Sequence, residues 1–381
     1  RINPRKIYIN AQAAQSTYGD PAPTFTFNIT TGETDGNVLV FGETAEQILS
    51  VAYEVYLDNI LQNFAQGVVS FAVSDASRIY KIRPGLGSEG VKYENYRIVA
   101  YNEAVFTVKP LPIVIRANNE TKVYGQSDPA FRYDVYLYDG EDNDVRIGER
   151  TISGGTSIST VTINGLTIDI SNYNLIRNLN LANAEDVGEH PILAGPAAAL
   201  GNFTLMEYTP GTLTITKKSI TIKGNAVSKE YGAVTPDIAF STLNANDLVN
   251  SSALRIYDTF ESVFGDYAMP DNYILEIYAS SDSGHLNNLA RLINGKYGLP
   301  YDAPVGIYNV YLIINNELIT NYNVSVNPVT LTVTKANVKV FVNDVEKVYG
   351  AADPAFIYGN NYYYEFGANY LLDETYLVSQ F

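Results

Sequence analysis

The chain has 381 residues, no Cys, no Trp and 31 Tyr, and its 25 basic against 41 acidic side chains leave a formal charge of −16. Without Cys it can form no disulfide, thiolate nucleophile or Cys-ligated zinc site, and the acidic balance argues against a bare nucleic-acid-binding role. No apolar run reaches the length of a membrane span and no signal-peptide pattern opens the chain, so no direct membrane insertion is expected of this segment.

The predicted elements recur. An alternating strand at Ile7-Tyr8-Ile9 returns at Ile113-Val114-Ile115, Ile220-Thr221-Ile222 and Val338-Lys339-Val340. Its apolar residues lie two apart and so face one side, toward a core. Each opening strand is followed by a Tyr-Gly turn that ends at Pro: Tyr18, Gly19 and Pro21; Tyr124, Gly125 and Pro129; Tyr231, Gly232 and Pro236; Tyr349, Gly350 and Pro354. From Tyr to Tyr the steps are 106, 107 and 118 residues. A fixed period signals one structural unit used repeatedly, and at about 100 residues each unit is long enough to bury its own core. In each turn Gly supplies a backbone conformation closed to other residues. Pro removes a donor and extends the residue before it. Asp before Pro can close an Asx turn, and the Tyr reads as a half-buried anchor. The turns are therefore read as structural, with a repeated ligand loop as the alternative.

Late in each complete repeat comes an Asn-aromatic strand, at Asn95-Tyr96, Asn202-Phe203 and Asn321-Tyr322. A closing strand follows at Phe106-Thr107-Val108, Leu213-Thr214-Ile215 and Leu331-Thr332-Val333. About four residues then lead to the next opening strand, too few for a flexible tether. The pattern predicts an all-β protein of sandwiches arranged end to end as a rod, each on the order of 35–40 Å long. The boundaries are 1–110, 111–217, 218–335 and an incomplete fourth repeat over 336–381. The chain starts where a preceding repeat would finish and stops part-way through the fourth, so it reads as a piece of a longer array, with further repeats of the same chain on both sides.

Between the landmarks lie insertions. Thr44 to Gln47, followed by Ile48, Leu49, Ala52, Val55, Tyr56, Ile60, Leu61 and Phe64, reads as a capping box feeding a helix near 44–66. Weaker helical patterns occur at Leu254 to Phe264 and after Ser283, and packing over a sandwich is the preferred fate of all three. The acidic run Asp139, Glu141, Asp142 and Asp144 is a candidate Ca²⁺ set, although it lacks the EF-hand order and a solvated turn is the simpler reading. No other cofactor is called for. Gly85-Leu86-Gly87-Ser88-Glu89-Gly90 matches a dinucleotide fingerprint by letter, yet no helix follows it, so it is read as a loop.

These landmarks, in particular Lys122 to Phe131, Val187-Gly188, Tyr208 to Lys217 and Lys347 to Phe356, resemble tandem MBG domains, the immunoglobulin-like β-sandwich repeats of large bacterial surface proteins. Repeat 1 departs most, with Ser16 where the others have Lys122, Lys229 and Lys347. The resemblance implies a stalk or spacer of an extracellular, cell-surface adhesin, with no catalytic residues to transfer. Two alternatives stand beside it. One is a subunit of a fibre, sheath or surface layer whose partners are copies of itself. The other is an adhesin whose repeats bind a host or matrix glycan or protein, with tyrosines such as Tyr93, Tyr96 and Tyr362 to Tyr364 stacking on sugars. Enzyme chemistry is not expected: the two His residues, His190 and His285, fall in different repeats, and neither a nucleophile elbow nor a P-loop occurs.

Overall fold

A computed structural model describes residues 2–31, 39–91, 94–140, 145–153, 156–265, 273–293, 295–314, 319–355 and 362–366. In repeat 1 the opening strand Arg5–Ala11 buries Ile7, Ile9 and Ala11 and turns the residues between them outward. It pairs antiparallel with Phe27–Thr30 and parallel with the Asn-aromatic strand Tyr96–Asn102. The chain then crosses to a second sheet, in the order Ala14–Thr17, Ala104–Lys109, Tyr80–Val91, Leu49–Leu57 and Ile60–Gln62. Ala14–Thr17 lies parallel to the closing strand Ala104–Lys109. One stretch of chain thus contributes the central strand of one sheet and an edge strand of the other, and the apolar sides of both enclose a core. Ile7, Ile9, Ile29, Ile48, Leu49 and Tyr96 form one cluster of it.

Repeat 3 has the same plan. Phe240–Thr242, Lys218–Gly224 and Tyr322–Val326 make one sheet, and Val227–Glu230, Val329–Thr334, Gly306–Ile314 and Tyr273–Ala279 the other. Its short strand Val227–Glu230 again runs parallel to the closing strand. Repeat 2 widens one sheet to six strands, from Leu166–Asp169 through Thr156–Ile163, Val145–Ser153, Tyr133–Leu137 and Leu111–Ala117 to Phe203–Thr209. Glu120–Val123, Thr212–Thr216 and Gly188–Pro191 form its second sheet. These are immunoglobulin-like β-sandwiches: two sheets over one core, with the first strand shared between them. Of repeat 4, the strands Val338–Val342 and Tyr362–Phe366 pair antiparallel.

By contact density the chain divides into two compact units that do not follow the repeats. The first holds Arg1–Thr121, Asp128–Leu181 and Glu189–Thr214; the second holds Lys122–Ser127, Ala182–Gly188 and Ile215–Phe381. Repeats 1 and 2 share the first unit, while the Tyr124 turn belongs to the second, with repeat 3.

Several expectations are corrected. The helix near 44–66 is only Ala45–Ile48, capped where the Thr44 N–H donates to Gln47 Oε1 at 2.8 Å. Beyond it the chain is a hairpin, Leu49–Leu57 against Ile60–Gln62, turning at Asp58 and Asn59 with φ of +48° and +65°. That left-handed pair is the two-residue hairpin turn that suits strand twist. Leu254 to Phe264 yields a strand at Ile256–Tyr257 and one helical turn at Phe260–Phe264. The stretch after Ser283 has no helix among its described residues and ends in the hairpin Arg291–Ile293 with Lys296–Gly298. Gly85 to Gly90 lies within the strand Tyr80–Val91 rather than in a loop. A β-carbon on Gly87 would sit 2.3 Å from Ser50 Oγ, beside the register shift between Leu49 and Val51, so Gly there admits a bulge. The linkers are shorter than four residues: Pro110 alone separates the first closing strand from the next opening strand, and Lys217 alone the second.

Candidate docking sites at the Tyr-Gly turns

All four signature turns share one backbone. The φ angles are +85° at Gly19, +82° at Gly125, +84° at Gly232 and +82° at Gly350. In each, the residue after Gly donates its N–H to the carbonyl three residues back: Asp20 to Thr17 (3.1 Å), Gln126 to Val123 (3.0 Å), Ala233 to Glu230 (3.0 Å) and Ala351 to Val348 (3.0 Å). Tyr and Gly are the central residues of a β-turn whose third position needs positive φ, which makes Gly the residue of choice. The Tyr N–H is held as well. Tyr18 donates to Lys109 O (2.9 Å), Tyr124 to Thr216 O (2.8 Å) and Tyr231 to Thr334 O (2.9 Å). Each acceptor is the last residue of its repeat's closing strand, except in the fourth turn, where no such bond is described. The turn is thereby tied to the point where the chain leaves its repeat.

Inside the first compact unit, the Tyr18 turn packs on repeat 2. The Tyr18 ring meets Phe203 edge-on, with centroids 5.9 Å apart. A β-carbon on Gly19 would lie 2.7 Å from Ile163 Cγ2, so the absence of a side chain is what permits the approach. Asn164, at φ +48°, donates its amide to Gly19 O at 2.9 Å. Asn202, beside Phe203, accepts the Val73 N–H at 3.0 Å.

Inside the second unit, the Tyr124 turn packs on repeat 3 through different chemistry. Tyr124 and Tyr322 meet edge-on at 5.4 Å. Both hydroxyls donate to the same oxygen, Asp258 Oδ2, at 3.0 Å from Tyr124 and 2.5 Å from Tyr322. The Val249 N–H donates to Tyr322 Oη at 2.8 Å. A β-carbon on Gly125 would lie 2.4 Å from Val249 Cγ2. Asn321 accepts the Val187 N–H (2.9 Å) and donates to Asp186 (3.1 Å). Burial, and then the Asp258 carboxylate, push the ionisation of both Tyr124 and Tyr322 well above the ordinary phenol value.

The third turn has Tyr231 half-buried, with the Gly232 N–H on Tyr301 O at 3.0 Å. The fourth leaves Tyr349 fully exposed, and among the described residues no atom lies within 4 Å of where a Gly350 β-carbon would sit. The prolines lie outside these contacts: Pro21 and Pro236 are exposed, Pro129 and Pro354 half-buried. Asp128, before Pro129, takes both guanidinium arms of Arg177 at 2.7 and 2.8 Å.

The lysines that precede the turns differ in partner. Lys122 is buried against Glu185. Lys229 is buried with its Nζ on two carbonyls, Ala233 O (3.1 Å) and Pro300 O (2.8 Å), and burial lowers its pKa from 10.5 to about 8. Lys347 is exposed and pairs with Asp353.

Of the candidate Ca²⁺ residues, Glu141, Asp142 and Asp144 lie outside the described residues. Among the described residues, no group of three His, Asp or Glu side chains is placed to hold a metal. His190 and His285 fall in different compact units. Tyr96 is a buried core residue, while Tyr93 and the side chains of Tyr362 to Tyr364 are not described. No helix among the described residues is long and apolar enough to cross a membrane. The residues that receive the turns (Ile163, Asn164, Val249 and Asp258) carry no landmark in the sequence. The Asn-aromatic pairs do recur at a fixed place, and that spacing is the signal that could have marked them as half of a contact.

No protein-family profile matches this chain. No curated protein matches it either. Among solved structures, the I9-I11 tandem from titin is 10% identical over 86% of this chain and 98% of that one, with a TM-score of 0.20. The N-terminal four Ig domains of Dscam1 isoform 6.9 are 8% identical over 86% and 73%, with a TM-score of 0.17. The Bacillus anthracis TIE protein is 7% identical over 86% and 51%, with a TM-score of 0.16. Likeness at this level carries no argument about activity or partners, and the description of the chain as tandem immunoglobulin-like sandwiches rests on its own two-sheet repeats.

Proposed function

We propose that this chain is a spacer segment of an extracellular protein, of the kind its resemblance to MBG repeats of bacterial surface adhesins implies. Its work is mechanical: it sets the separation between a surface and whatever the longer protein presents. The observation that carries this reading is that a turn tied to the exit of its own repeat is packed, twice, on the Asn-aromatic end of the next. Catalysis needs one well-made site, whereas a spacer needs many stiff joints. The absence of Cys permits a clean test. Labels at Ala13→Cys in repeat 1 and Glu207→Cys in repeat 2, both exposed positions of the first compact unit, are expected to give one narrow distance distribution by single-molecule energy transfer. A broad distribution, as from a flexible tether, would overturn the reading.

A further inference from the structure

The side chain that links the first joint is also open to spontaneous chemistry. Asn164 and Gly165 form the two-residue turn between the strands Thr156–Ile163 and Leu166–Asp169, closed by the pair Ile163 and Leu166. Their φ angles of +48° and +82° belong to the turn that suits strand twist, which is why Asn followed by Gly stands there. The same dipeptide is chemically frail. The backbone nitrogen of the second residue can attack the side-chain amide carbon of the first, and Gly, having no β-carbon, leaves that nitrogen unhindered. Both residues are exposed to water. What restrains Asn164 is repeat 1: its Nδ2 donates to Gly19 O at 2.9 Å, across the joint where the Tyr18 ring meets Phe203. The group held in that bond is the one that deamidation expels.

We propose that Asn164 is a deamidation site gated by the first joint, so that an opening of the joint becomes permanent. In the reaction the Gly165 nitrogen forms a bond to Asn164 Cγ and gives up its proton to water, while the Cγ–Nδ2 bond breaks and ammonia leaves. The five-membered imide then takes up water at either carbonyl. One opening gives aspartate; the other gives isoaspartate, whose backbone runs through the former side chain. While the joint is shut, the bond to Gly19 O holds the amide and the reaction is slow. When the Tyr18-Gly19 turn lifts away, the side chain is free to close on Gly165. Neither product restores the joint. Aspartate sets a carboxylate oxygen against the Gly19 carbonyl, two acceptors with no proton between them. Isoaspartate adds a backbone atom to a turn whose length fixes the register of the hairpin. The inference goes beyond the spacer reading and does not depend on it, because it concerns only the chemistry of one joint.

Peptide mass mapping of the whole chain, held at mildly alkaline pH, tests it. The sequence supplies an internal reference in its other Asn-Gly pair, Asn294-Gly295, which belongs to the second compact unit. Tyr18→Ala removes the ring that packs on Phe203, and Gly19→Ala places a β-carbon against Ile163. Each should raise the rate at Asn164 about tenfold relative to the rate at Asn294, by enlarging the open population. A ratio of the two rates that both variants leave unchanged overturns the proposal. Asn164→Asp supplies one product directly, with a residue that tolerates the same positive φ. At neutral pH it should melt about 3 °C below the wild type by calorimetry. An unchanged melting temperature would mean that the joint accepts the product, which also overturns the proposal.

Discussion

The two occupied joints use one backbone and two chemistries. At the first, Tyr18 meets a Phe, which has no hydroxyl, and the polar link is an amide, Asn164, donating to the turn's own Gly19 carbonyl. At the second, Tyr124 meets a Tyr, and one carboxylate oxygen gathers both hydroxyls. In both, an aliphatic side chain, Ile163 or Val249, sits where a β-carbon on Gly would be. What stays constant is therefore the part set by backbone geometry: positive φ, a bare Gly, and a Tyr N–H fixed to the closing strand. The partner side is free to vary because any apolar surface with one well-placed polar group can receive such a turn.

The largest expected effect separates steric contact from backbone strain. Gly125→Val should destabilise the chain by about 3 kcal/mol, from the cost of positive φ together with overlap on Val249. Gly350→Val has the same φ and, among the described residues, no atom where its β-carbon would sit, and should cost about 1 kcal/mol. Denaturant unfolding of both measures the difference, and equal losses would mean that the packing on Val249 contributes nothing.

A smaller effect separates the two polar links. Asp258→Ala strands two buried hydroxyls and should cost about 2 kcal/mol, whereas Asn164→Ala removes one neutral hydrogen bond and should cost about 1 kcal/mol. Calorimetric melting of each variant ranks them, and the reverse order would show that the carboxylate is not what holds the second joint.

High pH should split the joints further. Tyr124 and Tyr322 have raised pKa values in the folded chain. Their stabilising contribution is fully present below pH 10, the unfolded phenol value, and is lost as pH rises beyond it, because the unfolded chain then releases protons that the folded chain keeps. Replacing Tyr322 with Phe should flatten that decline; an unchanged decline would assign it to tyrosines elsewhere.

The smallest effect concerns the third turn. Lys229 titrates near 8 in the folded chain against 10.5 unfolded. Between those values the unfolded state binds more protons, so stability should rise with pH from about 8 toward 10.5 relative to a Lys229→Met chain. Melting curves of the two proteins across that window should converge as pH rises, and parallel curves would show that the burial of Lys229 carries no charge penalty.

Much of the fold was legible in the residues themselves. Alternation of β-branched residues marks the opening and closing strands because it expresses a half-buried pleat directly, and the turn Gly is legible because the left-handed region excludes other side chains. The segment from Leu49 to Leu57 was also legible, through Leu49, Val51, Tyr53, Val55 and Leu57 at every second position, but the capping box at Thr44 drew the reading toward a helix. There the period of two prevails because pairing with Tyr80–Val91 satisfies the backbone from Val51 to Tyr56. The receiving side of each joint was not legible. Ile163 ends a strand and Asn164 begins a two-residue turn, whereas Val249 and Asp258 lie nine residues apart on either side of two short strands. Only the folded chain brings these groups to one place, because a docking face is fixed by position in space and a loop can reach that position by many sequences.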